Sequence, residues 1–180
     1  MKEQKRTRLD SGALWEYALR VLSGRAHSSG ELREKLRAKA ELIADVDPTL
    51  ARLKEYGYLN DRQFAESFAA ARLENEGLGK TRVLADLSRR RVAPAVAQQT
   101  VKKVYENVSE EALAEDFVRR KFRLANRENL FQDQKQMASA YRRLVRAGFR
   151  PAAAISVLKK FARDPDLLDG FEPPDDTAEE

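Results

Sequence analysis

Cysteine is absent from this 180-residue chain, histidine occurs once, and glycine and proline together number only 14. Without cysteine there are no disulfides, no thiolate catalysis and no Cys-based zinc site. The single histidine, His27, precedes a serine-rich link and has no second histidine to work with. It reads as a locally hydrogen-bonded turn residue, not as a general base or metal ligand. So little glycine and proline argues against sandwiches and barrels, which turn often, and for helices. No apolar run approaches the roughly 18 residues that a membrane span needs. Met1 to Asp10 carries Lys2, Lys5, Arg6 and Arg8 and has no apolar segment of the kind a secretory signal requires. The expectation is a cytoplasmic chain with no membrane association.

Catalytic constellations are equally scarce. There is no dinucleotide fingerprint or nucleophile elbow, and Gly77-Leu78-Gly79-Lys80 is too short for a phosphate loop. Glu110, Glu111, Glu115 and Asp116 bunch together, but an acidic helix start produces the same run. The sequence therefore predicts no enzyme, no metal and no cofactor.

What the chain does have is charge and helical pattern. Charged residues make up 35% and the formal net charge is +5. Asp164 to Glu180 holds eight acids and no base, so residues 1–163 carry 34 basic against 21 acidic residues, a formal +13. A body with that excess attracts polyanions or acidic protein surfaces.

A helix followed by a second, basic helix recurs three times. The basic stretches are Glu31–Ala40, Arg82–Val92 and Ala140–Phe149, and aligning Leu36, Leu87 and Leu144 gives spacings of 51 and 57 residues. Val92-Ala93-Pro94 also matches Phe149-Arg150-Pro151, and Val101 then matches Leu158. A unit this small cannot bury its apolar face alone, so neighbours should pack together. The predicted fold is all-α: three tandem three-helix repeats at 11–59, 60–108 and 109–163, forming an elongated, curved array. A polar arm, 1–10, would precede them and an acidic, disordered tail, 164–180, would follow.

Capping signals place the helices. Ser28 with Glu31, and Asn60 with Gln63, have capping-box spacing. Asp47-Pro48 sets a capping acid before a proline, Pro94 and Pro151 suit a first helical position, and Ser109 precedes two acids. Helices are predicted near 11–23, 29–39, 48–56, 61–75, 80–91, 94–106, 110–125, 135–147 and 151–163. Phe64 with Phe68, Leu113 with Phe117, and Met137 with Tyr141 and Leu144 fall on apolar stripes. These aromatics read as core, not as stacking platforms for nucleic acid.

The third repeat is the most basic stretch. From Gln134 to Arg163 there is no acid, while Lys135, Arg142, Arg143, Arg146, Arg150, Lys159, Lys160 and Arg163 are all basic. Arg142, Arg143 and Arg146 point away from the Met137–Tyr141–Leu144 stripe, where they can meet phosphates or carboxylates. Arg82 and Arg89 share their face with Asp86, which neutralises part of their charge. Arg90 and Arg91 lie nearer the core. Candidate binding residues are Arg142, Arg143, Arg146, Arg150 and Lys160, with Arg33, Arg37, Arg82 and Arg89 from the earlier repeats.

These features together resemble the RecX family of regulators of the recombinase RecA. Leu53-Lys54-Glu55-Tyr56-Gly57-Tyr58-Leu59-Asn60-Asp61-Arg62-Gln63-Phe64-Ala65-Glu66 is similar to that family's L-x-x-x-G-[YL]-L-[DN]-D-x-x-F-A signature. Upstream, Ala18-Leu19-Arg20-Val21-Leu22 and His27-Ser28-Ser29-Gly30-Glu31-Leu32 are similar to its opening element. Near the end, Leu144-Val145-Arg146-Ala147-Gly148-Phe149 followed by Ile155 matches its L-x-x-[RK]-G-F element. The signature residues Gly57, Tyr58, Leu59, Asp61, Phe64, Ala65, Gly148 and Phe149 would be largely structural. The chain departs from the pattern where a glycine often closes the second helix of each unit: Ala40 and Arg91 stand in the first two places. The acidic tail also lies outside the pattern.

The resemblance implies a regulator that docks along RecA–single-stranded-DNA filaments; a self-contained array makes a monomer the simplest expectation. It would limit their growth, ATP turnover, strand exchange and stimulated cleavage of the SOS repressor. A competing reading is a helix-turn-helix protein acting directly on DNA, since short helix pairs with a basic second helix allow it. The Lys and Arg clusters suit phosphates better than base edges, which weighs against it. A metal-dependent nuclease is disfavoured by the missing constellation.

Overall fold

The structure is a computed structural model that describes residues 8–122, 131 and 134–162. The acidic stretch 164–180, Arg163 and the first seven residues of the polar arm lie outside those residues. Nine α-helices occur among the described residues: α1 (Ser11–Gly24), α2 (Ser29–Arg37), α3 (Val46–Glu55), α4 (Asp61–Ala71), α5 (Lys80–Arg89), α6 (Pro94–Val104), α7 (Glu110–Lys121), α8 (Gln134–Arg146) and α9 (Pro151–Phe161). Their succession fits an all-α repeat array. Extended pairing among the described residues is limited to two isolated bridges, Leu9 with Ala40 and Phe131 with Ala162.

Local chemistry explains most helix ends. Ser28 and Glu31 form a reciprocal capping box at α2, which satisfies two amides that the helix leaves free. Asp10 accepts from the Ala13 amide at 2.8 Å and Asn60 from the Gln63 amide at 3.0 Å. Ser109 does the same for Ala112. Pro151 occupies the first turn of α9. Two expectations shift. A 3₁₀ turn, Ile43–Asp45, leads into α3, which begins at Val46, so Asp47 sits inside the first turn instead of capping it. There its carboxylate pairs with Arg33 at 2.9 Å. α4 does not run unbroken to 75 but widens into a π-helical segment, Arg72–Glu76, closed by Gly77.

The chain divides into two compact units. One comprises Met1–Phe68 and Asp86–Lys102, the other Ala69–Ala85 and Lys103–Glu180. In the first, Leu14, Leu32, Leu36, Val46, Leu50 and Leu53 of α1, α2 and α3 close over one another with Leu59. In the second, Phe117, Met137, Tyr141, Leu144, Val157, Leu158 and Phe161 of α7, α8 and α9 form a larger core with Phe149. Each fully buried leucine contributes about 2 kcal/mol of transfer free energy, so these stripes are what hold the short helices.

One contact recurs at equivalent repeat positions. In the first unit the Ser28 hydroxyl, at the start of α2, donates to the Arg90 carbonyl at the end of α5. In the second, the Gly79 amide, before α5, donates to the Ala147 carbonyl at 2.8 Å, at the end of α8. Ser28 plus 51 is Gly79, and Arg90 plus 57 is Ala147, so the repeat register read from the leucines is also the register of these joints. The third carbonyl in that register, Lys39, accepts at 2.8 Å from the Leu9 amide, and the Glu41 amide donates back to the Leu9 carbonyl at 2.8 Å. In each joint of the two units, a helix start carrying free N–H groups meets a helix end carrying free carbonyls.

Candidate nucleic-acid and protein interface

α8 presents the basic face. Its buried stripe is Met137, Ala140, Tyr141 and Leu144, and Arg142, Arg143 and Arg146 stand exposed on the other side. The helix is anchored by that stripe, so the arginines are held in place by packing they do not take part in. Among the described residues none of these three guanidinium groups has a carboxylate within ion-pair distance. The Arg143 guanidinium lies 5.3 Å above the Phe122 ring, a contact that keeps its charge. Arg82 of α5 joins the same patch: its guanidinium donates to the Arg146 carbonyl at 3.4 Å.

Other candidates from the sequence are placed differently. Arg150 does not project free: its Nε lies 2.5 Å from Glu110 and its backbone amide donates to the same carboxylate at 2.8 Å. Lys160 pairs with Glu115 at 3.2 Å and Arg119 joins that carboxylate at 2.8 Å. These bonds, first from Arg119 and then from Lys160, hold the Glu115 carboxyl below its ordinary value. The acid-free window that made the third repeat look uniformly basic is thus partly neutralised by α7, 40 and 45 residues away in sequence. The same bonds engage Glu110 and Glu115 of the acidic run, and no group of three metal-ligating side chains occurs among the described residues.

In the first unit Arg33 pairs with Asp47, Arg89 pairs with the buried Asp86 at 2.7 Å, and Arg37 is exposed. Arg90 is half-buried, 3.2 Å from Glu31 and stacked 5.5 and 5.9 Å over Phe64 and Phe68. His27 is buried beside it, 3.4 Å from Glu31. Burial, and then the Arg25 charge, lower its pKa from 6.5.

The signature residues divide. Leu59, Phe64, Ala65 and Phe149 are buried, and Gly57 and Gly148 turn the chain at φ +75° and +91°. Asp61 accepts the Ser29 amide at 2.6 Å, tying α4 to the start of α2. Tyr58 is 57% exposed, and its neighbour Tyr56 is 60% exposed. Both pack edge-on around Trp15, with centroids 6.4 and 5.9 Å away. Arg52 lies 4.1 Å above the Trp15 ring. The apolar stripes used to assign core had no bearing on these rings, because Tyr56, Gly57 and Tyr58 follow α3 and lie outside any helix.

Family comparison now bears on this arrangement. The profile of the RecX second three-helix domain matches residues 60–101, and that of the RecX first three-helix domain matches residues 15–53. The regulatory protein RecX of Amycolatopsis mediterranei is 32% identical over 149 residues, covering 83% of either chain. This chain belongs to the RecX family. The RecX of Syntrophotalea carbinolica is 31% identical over 108 residues, covering 60% of this chain and 71% of that one. The crystal structure of RecX from Lactobacillus salivarius superposes with a TM-score of 0.65 at 16% identity, covering 84% of this chain and 96% of that one. The RecX fold is therefore shared at low identity. As a RecX the chain is a regulatory protein, and no helix among its described residues is long and apolar enough to cross a membrane.

Proposed function

We propose that this protein binds RecA filaments on single-stranded DNA and restrains their growth, ATP hydrolysis, strand exchange and coprotease activity. Family membership supports a regulatory role. The observation that carries the interface is the α8 face, where Arg142, Arg143 and Arg146 stand exposed with Arg82 beside them. Guanidinium groups in such an array bind phosphates and carboxylates through paired N–H donors. A filament of protein on DNA supplies both.

The test is RecA ATP hydrolysis on single-stranded DNA with this protein added well below one per RecA. Hydrolysis falls progressively, while an unrelated DNA-dependent ATPase is unaffected. Reversing Arg142, Arg143 and Arg146 to glutamate weakens inhibition at least tenfold; Arg150→Ala matters less, because Glu110 already occupies that guanidinium. Undiminished inhibition by the folded triple variant removes the α8 face from the interface. Absence of any inhibition when the protein saturates the DNA shifts the assignment to direct DNA binding.

A further inference from the structure

The exposed rings around Trp15 adjoin a cavity that the basic face of α8 does not account for. Trp15 of α1 and Tyr56 and Tyr58 after α3 lie within 6.4 Å of one another, centroid to centroid. Arg52 covers the Trp15 ring, while both tyrosines are more than half exposed. Tyr58 is also part of the wall of a cavity of about 600 Å³ in the same unit. Phe64, Phe68, Arg25, Arg90 and Gln63 line it with Tyr58, and no Asp or Glu is among its lining residues. Phe64 and Phe68 are stacked with centroids 6.0 Å apart. Glu31 lies 3.7 Å from Arg25 and 3.2 Å from Arg90, so these three side chains together leave one net positive charge at the cavity.

We propose that Tyr56, Tyr58 and this cavity form a base-stacking site for single-stranded nucleic acid. Recognition of single strands without sequence readout combines aromatic faces, on which bases stack, with cations that follow the phosphates. Here the tyrosines supply exposed rings, with Arg52 5.5 Å over that of Tyr56; Phe64 and Phe68, with Arg90 over them, supply an aromatic wall, and Arg25 and Arg90 the cations. The cavity volume is that of sites that enclose a small ring system. Arg25 and Arg90 at the cavity, with the amides of Asn60 and Gln63, suit the phosphates and polar base edges of a strand. The site does not depend on RecA or on α8.

Trp15 is the only tryptophan in the chain, so its emission reports on this site alone. The full-length protein is titrated, without RecA, with a thymidine 20-mer and with an abasic strand of the same length and charge. The 20-mer quenches Trp15 emission and the abasic strand does not. Tyr56→Ala with Tyr58→Ala abolishes the quench and weakens 20-mer binding at least tenfold, the loss of about one stacked base. Circular dichroism checks the fold, and Tyr58→Ala alone serves if the double variant does not fold. With Arg142, Arg143 and Arg146 reversed to glutamate, binding weakens but a saturating 20-mer still quenches Trp15 emission, which separates this site from the α8 face. Equal binding of both strands with unchanged emission overturns the proposal, as does a quench that survives loss of the tyrosines. Quenching by RecA protein alone but not by the 20-mer also overturns it, making the rings a protein contact.

Discussion

The joint between the start of α2 and the end of α5, and the joint between the start of α5 and the end of α8, solve one problem in two ways. Both bring a helix start against a carbonyl at the same repeat position. Both also end the basic helix with a left-handed residue. In the α8 joint that residue is Gly148 at φ +91°; in the α5 joint it is Arg91 at φ +56°. The hydrogen bonds agree: Val92 donates to Leu87 and Phe149 to Leu144, the six-to-one closure of a helix end. The α8 joint has a glycine on both sides, Gly148 on the helix end and Gly79 opposite, whereas the α5 joint has Arg91 on the helix end and a glycine opposite, Gly30, whose missing Cβ makes room for the Arg91 backbone. Close backbone approach is common to both, and the helix end tolerates a side chain where a glycine faces it.

The comparison breaks most readily at Gly148. A Cβ there meets the backbone N of Arg82, on a backbone that disfavours side chains. Gly148→Ala should cost about 3 kcal/mol in urea unfolding. At Gly30, φ is ordinary and only the approach to Arg91 is at stake, so Gly30→Ala should cost about 2 kcal/mol. The Arg91 Cβ is one of the three atoms met, so adding Arg91→Gly should recover part of that loss; strict additivity would refute the shared contact. Arg91→Gly alone should stabilise by about 0.5 kcal/mol, the relief of a left-handed side chain less the added chain entropy.

Acid should separate the two units by pH. His27 is held neutral in the folded chain, its pKa lowered from 6.5, so its contribution is present above that value and fades as pH falls through the lower folded one. Glu115, lowered from 4.5, contributes above the carboxylate range and fails only at more acid pH. The melting temperature should therefore begin to fall near pH 6, and His27→Gln should remove that first step while leaving the acid limb. The repeat position of His27 in the second joint is Leu78, an apolar side chain with no ionisable group.

Much of this was legible in the sequence. The apolar periods set all nine helices to within a few residues, and the Leu36, Leu87 and Leu144 register carries through to the joints themselves. The missing glycine at Arg91 did not change its turn, because tertiary contact held the backbone where propensity disfavoured it. The glycine-free end of α2 behaves otherwise: Ala40 stays out of the left-handed region, and Leu9 takes the Glu41 amide instead. What sequence reading missed came from pairing across helices. A window along one helix could not show Glu110 reaching Arg150, nor Asp47 reaching Arg33. The exposure of Tyr58 was hidden for a related reason, since a family signature marks a position without saying which way its ring faces.

Leu9 has a consequence for assembly. Its amide fills the acceptor that, in the other two joints, belongs to a neighbouring repeat. A chain lacking residues up to Leu9 would present the bare Lys39 carbonyl and Ala40 edge to solvent. Such an end would offer the equivalent element of a second molecule a head-to-tail contact. One short stretch of extended backbone thus occupies, at the end of α2, the position that a neighbouring repeat fills in the other two joints.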